Sequence, residues 1–265
     1  MKKNRMDVLG KGKHLAVYLM AGDGGMKITE EIVRVLEREG VSLVELGIPF
    51  SDPLADGPVI MKASERALKN KTTAAGVFAA VKRIRKTVGI PIVVMTYYNI
   101  IYAYGIKKFI DDALAVGIDG AIIPDLPYDE EKDYYKYALK KNFNAVLLAA
   151  PSNTKERAVK IAEKSKGFMY YVLVKGVTGE RKKNEADFGM LAAVKKSARV
   201  PVFAGFGISV PAQAAGVLEK TDGIIIGSAF VKLFEENCGK ADAIPRRAAE
   251  FIRPFVRELK RSRGE

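Results

Sequence analysis

VELGIPFSDPLADGP, residues 44–58, begins as a strand and ends as something that is neither helix nor strand. Its opening is short and apolar, with Leu43, Val44 and Leu46 flanking a single carboxylate, Glu45. From Gly47 onward Pro49, Pro53 and Pro58 each fix φ and remove an N–H donor, while Gly57 leaves the backbone permissive. The result is a stiffened loop that holds Asp52 and Asp56. A carboxylate set among Val, Leu and Ile has its charged form disfavoured, so the pKa of Glu45 is expected to rise toward neutrality. Such a group can both give and take a proton. The competing reading makes Glu45 a salt-bridged residue at a strand end, and the rest of the chain has to decide.

Working outward, the same grammar repeats. Apolar runs at 15–20, 43–47, 90–96, 120–124, 145–150, 168–174, 200–204 and 223–226 read as strands. Helical spacing follows them at 29–39, 60–69 and 74–88, 106–116, 129–141, 155–164, 188–197, 212–220 and 228–237, with a last helix at 246–263. Runs that do not alternate are buried on both faces, the pattern of a parallel sheet covered by helices. Eight such units predict an α/β fold of the closed (β/α)8 kind, a TIM barrel, rather than an open doubly wound sheet. No linker or low-complexity segment interrupts residues 1–265, which are expected to form one domain.

Composition narrows the function classes. With 48% hydrophobic and 28% charged residues the chain can fill a globular core. No apolar run approaches the roughly 18 residues of a membrane span. The N-terminal MKKNRMDVLGKGKHLAVYLMAGDGG has basic residues ahead of an apolar run, but Tyr18 interrupts that run and GDGG ends it, so it reads as a core strand. A lone Cys238 forms no internal disulfide, which fits a reducing cytoplasm. The net charge of +13 is spread over the expected helices, dense only in the tail at 253–263, and no aromatic–basic motif accompanies it. Neither a nucleic acid nor a membrane is therefore expected as partner. With one histidine, His14, and one cysteine, His-based triads, Cys–His pairs and the usual zinc sites are excluded. Proton chemistry falls to Asp, Glu, Tyr or Lys.

In such barrels chemistry sits where strands end and βα loops begin. The polar residues fall there: Asp23, Glu45 and Asp56, Tyr97 and Asn99, Asp125, then Thr178 and Gly179, AGFGIS at 204–209, and IGSA at 226–229. Asp125, ahead of Leu126 and Pro127, also reads as a plain turn residue. The glycines after the seventh strand bare backbone N–H groups, and IGSA opens a helix directly after the eighth, so a phosphate site is expected between them.

These motifs together resemble the tryptophan synthase α-subunit family, from about residue 15 to 231. The resemblance is carried by the 44–58 stretch, TYYN (96–99), PDLP (124–127), GVTG (176–179), GFGIS (205–209) and GSA (227–229), in that order and spacing. It implies retro-aldol cleavage of indole-3-glycerol phosphate to indole and glyceraldehyde 3-phosphate, with no metal and no organic cofactor. By position it implies that Glu45 is the acid/base at indole C3 and the glycerol hydroxyl, and that Asp56 faces the indole N–H. Tyr97 would support the ring or Asp56, Tyr18, Met95 and Asp125 would line the indole side, and Gly179, Phe206, Gly207, Gly227 and Ser228 would hold the phosphate. It further implies a partner, the pyridoxal-phosphate-bearing β subunit, in an αββα heterotetramer that passes indole between sites. The loop at 52–53 and residues 99–101 would dock that partner, and the loops after the second and sixth strands would close over substrate.

The chain departs from the family ahead of GVTG, where Leu173 stands at a position the family fills with serine and Lys175 is an unexpected cation. Other phosphate-binding barrels, such as indole-glycerol-phosphate synthase or a histidine-pathway isomerase, would need a catalytic Lys or paired Asp at other strand ends. A non-catalytic relative that binds and activates the β subunit or an anionic polymer is the rival from another class; it rests on the +13 charge and Leu173.

Overall fold

Strands without a polar face can only be stable when both faces are covered, and in the structure they are. The computed structural model describes residues 4–10, 12–173, 185–205 and 207–265. Its strands are β1 (His14–Met20), β2 (Leu43–Gly47), β3 (Ile92–Met95), β4 (Gly120–Ile122), β5 (Asn144–Ala149), β6 (Met169–Val172), β7 (Val202–Gly205) and β8 (Gly223–Ile226). They pair in parallel in sequence order, and β8 pairs with β1 to close the barrel. All residues of β1, β2 and β8 are buried.

Around the barrel lie α1 (Met26–Arg38), α2 (Pro58–Lys69), α3 (Ala74–Ile84), α4 (Tyr98–Tyr104), α5 (Ile106–Val116), α6 (Lys132–Lys141), α7 (Lys155–Lys164), α8 (Glu185–Ser197), α9 (Pro211–Leu218), α10 (Ser228–Glu236) and α11 (Ile244–Arg263). Their apolar stripes, such as Ile32, Val33 and Leu36 of α1, share one core with outward strand residues such as Leu15, Val44 and Val94. Each such fully buried aliphatic side chain contributes about 1.5–3 kcal/mol. Among the described residues no helix is long and apolar enough to cross a membrane.

Inside the barrel, large residues face glycines. A Cβ on Gly47 would collide with the Tyr18 hydroxyl, one on Gly205 with the Tyr170 hydroxyl, and one on Gly223 with the Phe203 ring. The N-terminal end is closed by a 3₁₀ turn, Arg5–Val8, capped by Asn4 and Asp7. It inserts Met6 and Leu9 against Phe168 and Phe203, whose rings stack with centroids 4.7 Å apart.

The sequence reading placed every strand, with limits shifted by a residue or two. It missed α4, because the helix starts on a cap from another element: the Asp125 carboxylate accepts the Tyr98 N–H at 2.9 Å. It also ran α3 on to residue 88, whereas the helix stops at Ile84 and the chain turns through Thr87 and Val88 ahead of Gly89. The helix expected from residue 188 begins at Glu185, as α8.

Candidate active site

Glu45 lies in β2, in register with Tyr18 of β1 and Val93 of β3. Parallel strands side by side point registered residues the same way, and here that way is into the barrel. Glu45 is 1% exposed and, among the described residues, neither carboxylate oxygen has a hydrogen-bond partner. That removes the salt-bridge reading. Burial without compensation pushes its pKa up to about 8.

Around this carboxyl the barrel supplies phenols. The Tyr18 hydroxyl is buried against Gly47 and lies 4.0 Å from the Met20 sulfur. Tyr170 of β6 was not singled out in the sequence, yet it is buried in the same space with its hydroxyl against Gly205. Burial first, and then the charges of Glu45 and Asp56, hold both phenols well above their usual pKa, so both remain hydroxyl donors. The signal that could have found Tyr170 is the glycine on the neighbouring strand, since Gly205 leaves room for a large inward side chain.

Asp56 enters from the loop after β2. Burial raises its carboxyl to about 6, a rise that a hydrogen bond from the Tyr97 hydroxyl limits. Tyr97, at the N-terminus of α4, also accepts the Ala55 N–H on the same hydroxyl at 2.9 Å. Its ring packs on Phe50, centroids 5.4 Å apart. Ser64 of α2 fastens the start of this loop by accepting the Phe50 N–H and donating to its carbonyl, at 3.0 and 2.8 Å. Met95 ends β3 opposite Gly47 and joins Tyr18, Met20, Ile60 and Val231 in an apolar wall.

The other expected site residues divide. Asp125 stands on the rim, exposed, with both oxygens turned to the Tyr98 amide at 2.9 and 3.2 Å. Its position is as expected and its contacts are those of a helix cap. Asp23 is 1% exposed and forks with Arg66 of α2 through two 2.7 Å bonds, a clamp between the turn after β1 and α2. Gly207 has φ +77 on the loop after β7. Gly227 caps α10 and Ser228 begins it, so the first amides of that helix open beside β8. At the start of α9, by contrast, the Ser209 and Val210 amides are taken by the Gln213 side chain, at 2.9 and 3.3 Å. Gly179, Phe206, Thr178 and Lys175 lie outside the described residues, while Leu173 is half-buried and donates its N–H to the Gly205 carbonyl at 2.7 Å.

A buried proton-bearing carboxyl and a second carboxyl held by a phenol can deliver and retrieve a proton on an apolar substrate, and bare helix amides after β8, two strands from β2, can hold a phosphate it bears. Comparison with known proteins identifies the family. Residues 7–260 match the sequence model described as "Tryptophan synthase alpha chain". The alpha chain of Petrotoga mobilis is 43% identical over 235 residues, 87% of this chain and 90% of that one. Tryptophan synthase subunit alpha of Legionella pneumophila superposes with a TM-score of 0.88 at 30% identity, over 98% of this chain and 99% of that one. A chain from the tryptophan synthase a2b2 complex of Pyrococcus furiosus gives 0.85 at 35% identity, over 93% and 98%. The chain belongs to the tryptophan synthase alpha chain family.

Proposed function

We propose that the chain, acting as one barrel domain, cleaves indole-3-glycerol phosphate to indole and glyceraldehyde 3-phosphate. The observation that carries this reading is the Glu45 carboxyl, buried without a hydrogen-bond partner among the described residues and raised to about 8. Near neutral pH it holds its proton and can deliver it to indole C3. The resulting positive charge on the ring nitrogen meets Asp56, whose lower pKa of about 6 leaves it ionised. Glu45, now a carboxylate, takes the proton of the glycerol hydroxyl as the C–C bond breaks. The bonding pair returns to the ring, the aldehyde forms, and Glu45 recovers its starting proton.

Tyr18, Met95 and Tyr97 line the indole side, with Asp125 holding α4 in place beneath it. Gly207, Gly227 and Ser228 take the phosphate with backbone and hydroxyl donors, joined in the proposal by Gly179 and Phe206. The reaction as written calls for no metal and no organic cofactor of its own; the pyridoxal phosphate of tryptophan synthesis belongs to the β subunit. The proposed assembly is the αββα heterotetramer, in the cytoplasm. Leu54, 93% exposed beside Asp52 and Pro53, and Tyr102, 69% exposed beside residues 99–101, are apolar surface where that partner would dock.

The test is indole release by wild type and Glu45→Gln, each with and without a β subunit. Gln keeps the shape but carries no exchangeable acid proton, so activity is expected to fall by roughly 10²–10⁴-fold or more. A wild-type chain that releases no indole even with its partner would sink the lyase reading.

A further inference from the structure

At the N-terminal end of the barrel, remote from the strand ends that carry Glu45 and Asp56, lies a second cavity of about 710 Å³. It opens where the C-termini of α3, α5 and α6 meet, and Arg5, Lys82, Arg85, Lys86, Lys140 and Lys141 line it. Among the described residues Asp119 is its only acidic lining residue. That carboxylate is satisfied from within: it accepts from Arg85 at 2.7 Å, from Arg5 at 3.3 Å and from the Ile92 amide at 2.9 Å. Arg85 is likewise fixed, donating also to the carbonyls of Gly117 and Ile90. Arg85 and Asp119 thus form a neutral floor.

What remains above that floor is positive. Lys141 pairs with Asp111 at 2.8 Å. Two further acids nearby are engaged by backbone amides: Glu37 accepts those of Gly89 and Ile90 at 2.7 and 3.0 Å, and Asp7 accepts that of Asn4 at 3.1 Å. Lys82, Lys86 and Lys140 are exposed and make no ion pair or hydrogen bond among the described residues. The side chain of Arg5 is 43% exposed and makes a single long contact to Asp119. Three helix C-termini bring about half a negative charge each, which offsets part of this excess and leaves the cavity cationic. Leu114 and Val116 supply one apolar wall.

We propose that this cavity binds a small anion bearing two or more phosphate charges. Clustered ammonium groups that lack protein partners suit phosphate oxygens, a concave wall focuses their field, and the volume matches that of small-ligand sites. A bare oligophosphate and a nucleoside triphosphate share this chemistry, and the apolar wall is where they would differ.

The test is titration of the full chain with tripolyphosphate and with ATP, followed by amide chemical shifts and calorimetry. Saturable shifts are expected at residues 114–119 and 140–142, and the Lys82→Ala/Lys86→Ala/Lys140→Ala variant is expected to bind at least tenfold more weakly. Lys155→Ala/Lys160→Ala/Lys196→Ala removes the same charge from α7 and α8 and is expected to change affinity less than twofold. Indole release should be equal in all three proteins. Tighter binding of ATP than of tripolyphosphate would identify a nucleotide, and equal binding an oligophosphate. Shifts confined to the loops after β7 and β8, equal losses in both triple variants, or no saturation would overturn the proposal. So would a single-stranded RNA that outcompetes both ligands at equal phosphate concentration. The wild-type shift map stands even if the triple variant fails to fold.

Discussion

Glu45 is a case of function opposing stability. Its carboxyl has a pKa of about 8 in the fold against 4.5 in a solvated chain. The folded state therefore holds its proton over a pH range in which the unfolded state has lost it. Stability falls as pH climbs from 4.5 through 8 and levels beyond, the reverse of a salt-bridged carboxylate. At about 1.4 kcal/mol per pKa unit, ionisation costs the fold about 4 kcal/mol more at pH 8.5 than at pH 5. Glu45→Gln has no such dependence. Denaturant melts of the two proteins at both pH values are expected to show the variant gaining on wild type by about that amount; parallel behaviour would mean that Glu45 is solvated. Activity should carry the same two groups. Asp56 must be ionised and Glu45 protonated, so kcat/KM is expected to rise through about pH 6 and fall through about pH 8. Asp56→Asn should lose the acid limb and keep the alkaline one. Glu45 and its raised pKa were legible in the sequence because a lone acid in an apolar strand has no alternative partner nearby. Tyr170 was not, because its burial depends on Gly205, 35 residues away in the chain and on the adjoining strand.

At the scale of the element, the loop after β2 is positioned by its neighbours more than by its own prolines. Tyr97 accepts the Ala55 N–H and donates to Asp56, so one phenol from the start of α4 holds both the loop backbone and its carboxylate. Tyr97→Phe keeps the ring against Phe50 and removes only the hydroxyl. Hydrogen bonds to charged groups contribute about 1.5–3 kcal/mol, so kcat/KM is expected to drop by about tenfold or more. The bond lowers the Asp56 pKa, so its loss should move the acid limb upward from about 6. A drop in kcat/KM with the acid limb unmoved would assign Tyr97 to ring packing alone. Sequence pattern exposed the strands and most helices here because their apolar spacing is local. It missed α4, whose first amide is capped by Asp125, and in placing Asp23 on the rim it gave no sign that Arg66, 43 residues away, forks with it. Contacts of that range leave no periodic trace.

Over the whole molecule the two ends of the barrel carry different burdens. The C-terminal rim gathers glycines and acids whose environments suit a substrate more than a stable fold. The N-terminal end is plugged by the 3₁₀ turn Arg5–Val8, whose Met6 is 3% exposed and touches the barrel interior beside Phe168 and Phe203. Nothing in RMDV announces a plug: the turn is too short for periodicity, and only Asn4 with Asp7 hints at a cap. Gly167 confirms how close the fit is, since a Cβ there would collide with the Met6 thioether. Truncating a buried Met leaves both lost transfer energy and a cavity, and Met6→Ala is expected to cost about 2–4 kcal/mol. The plug lies at the far end from Glu45, with the Phe168–Phe203 layer between them. Indole release per folded molecule should then be unchanged below the melting transition, while the denaturation midpoint falls. If Met6→Ala instead lowered kcat at full folding, the interior layers would be mechanically coupled from end to end, and the separation of stability from chemistry along the barrel axis would not hold for this chain.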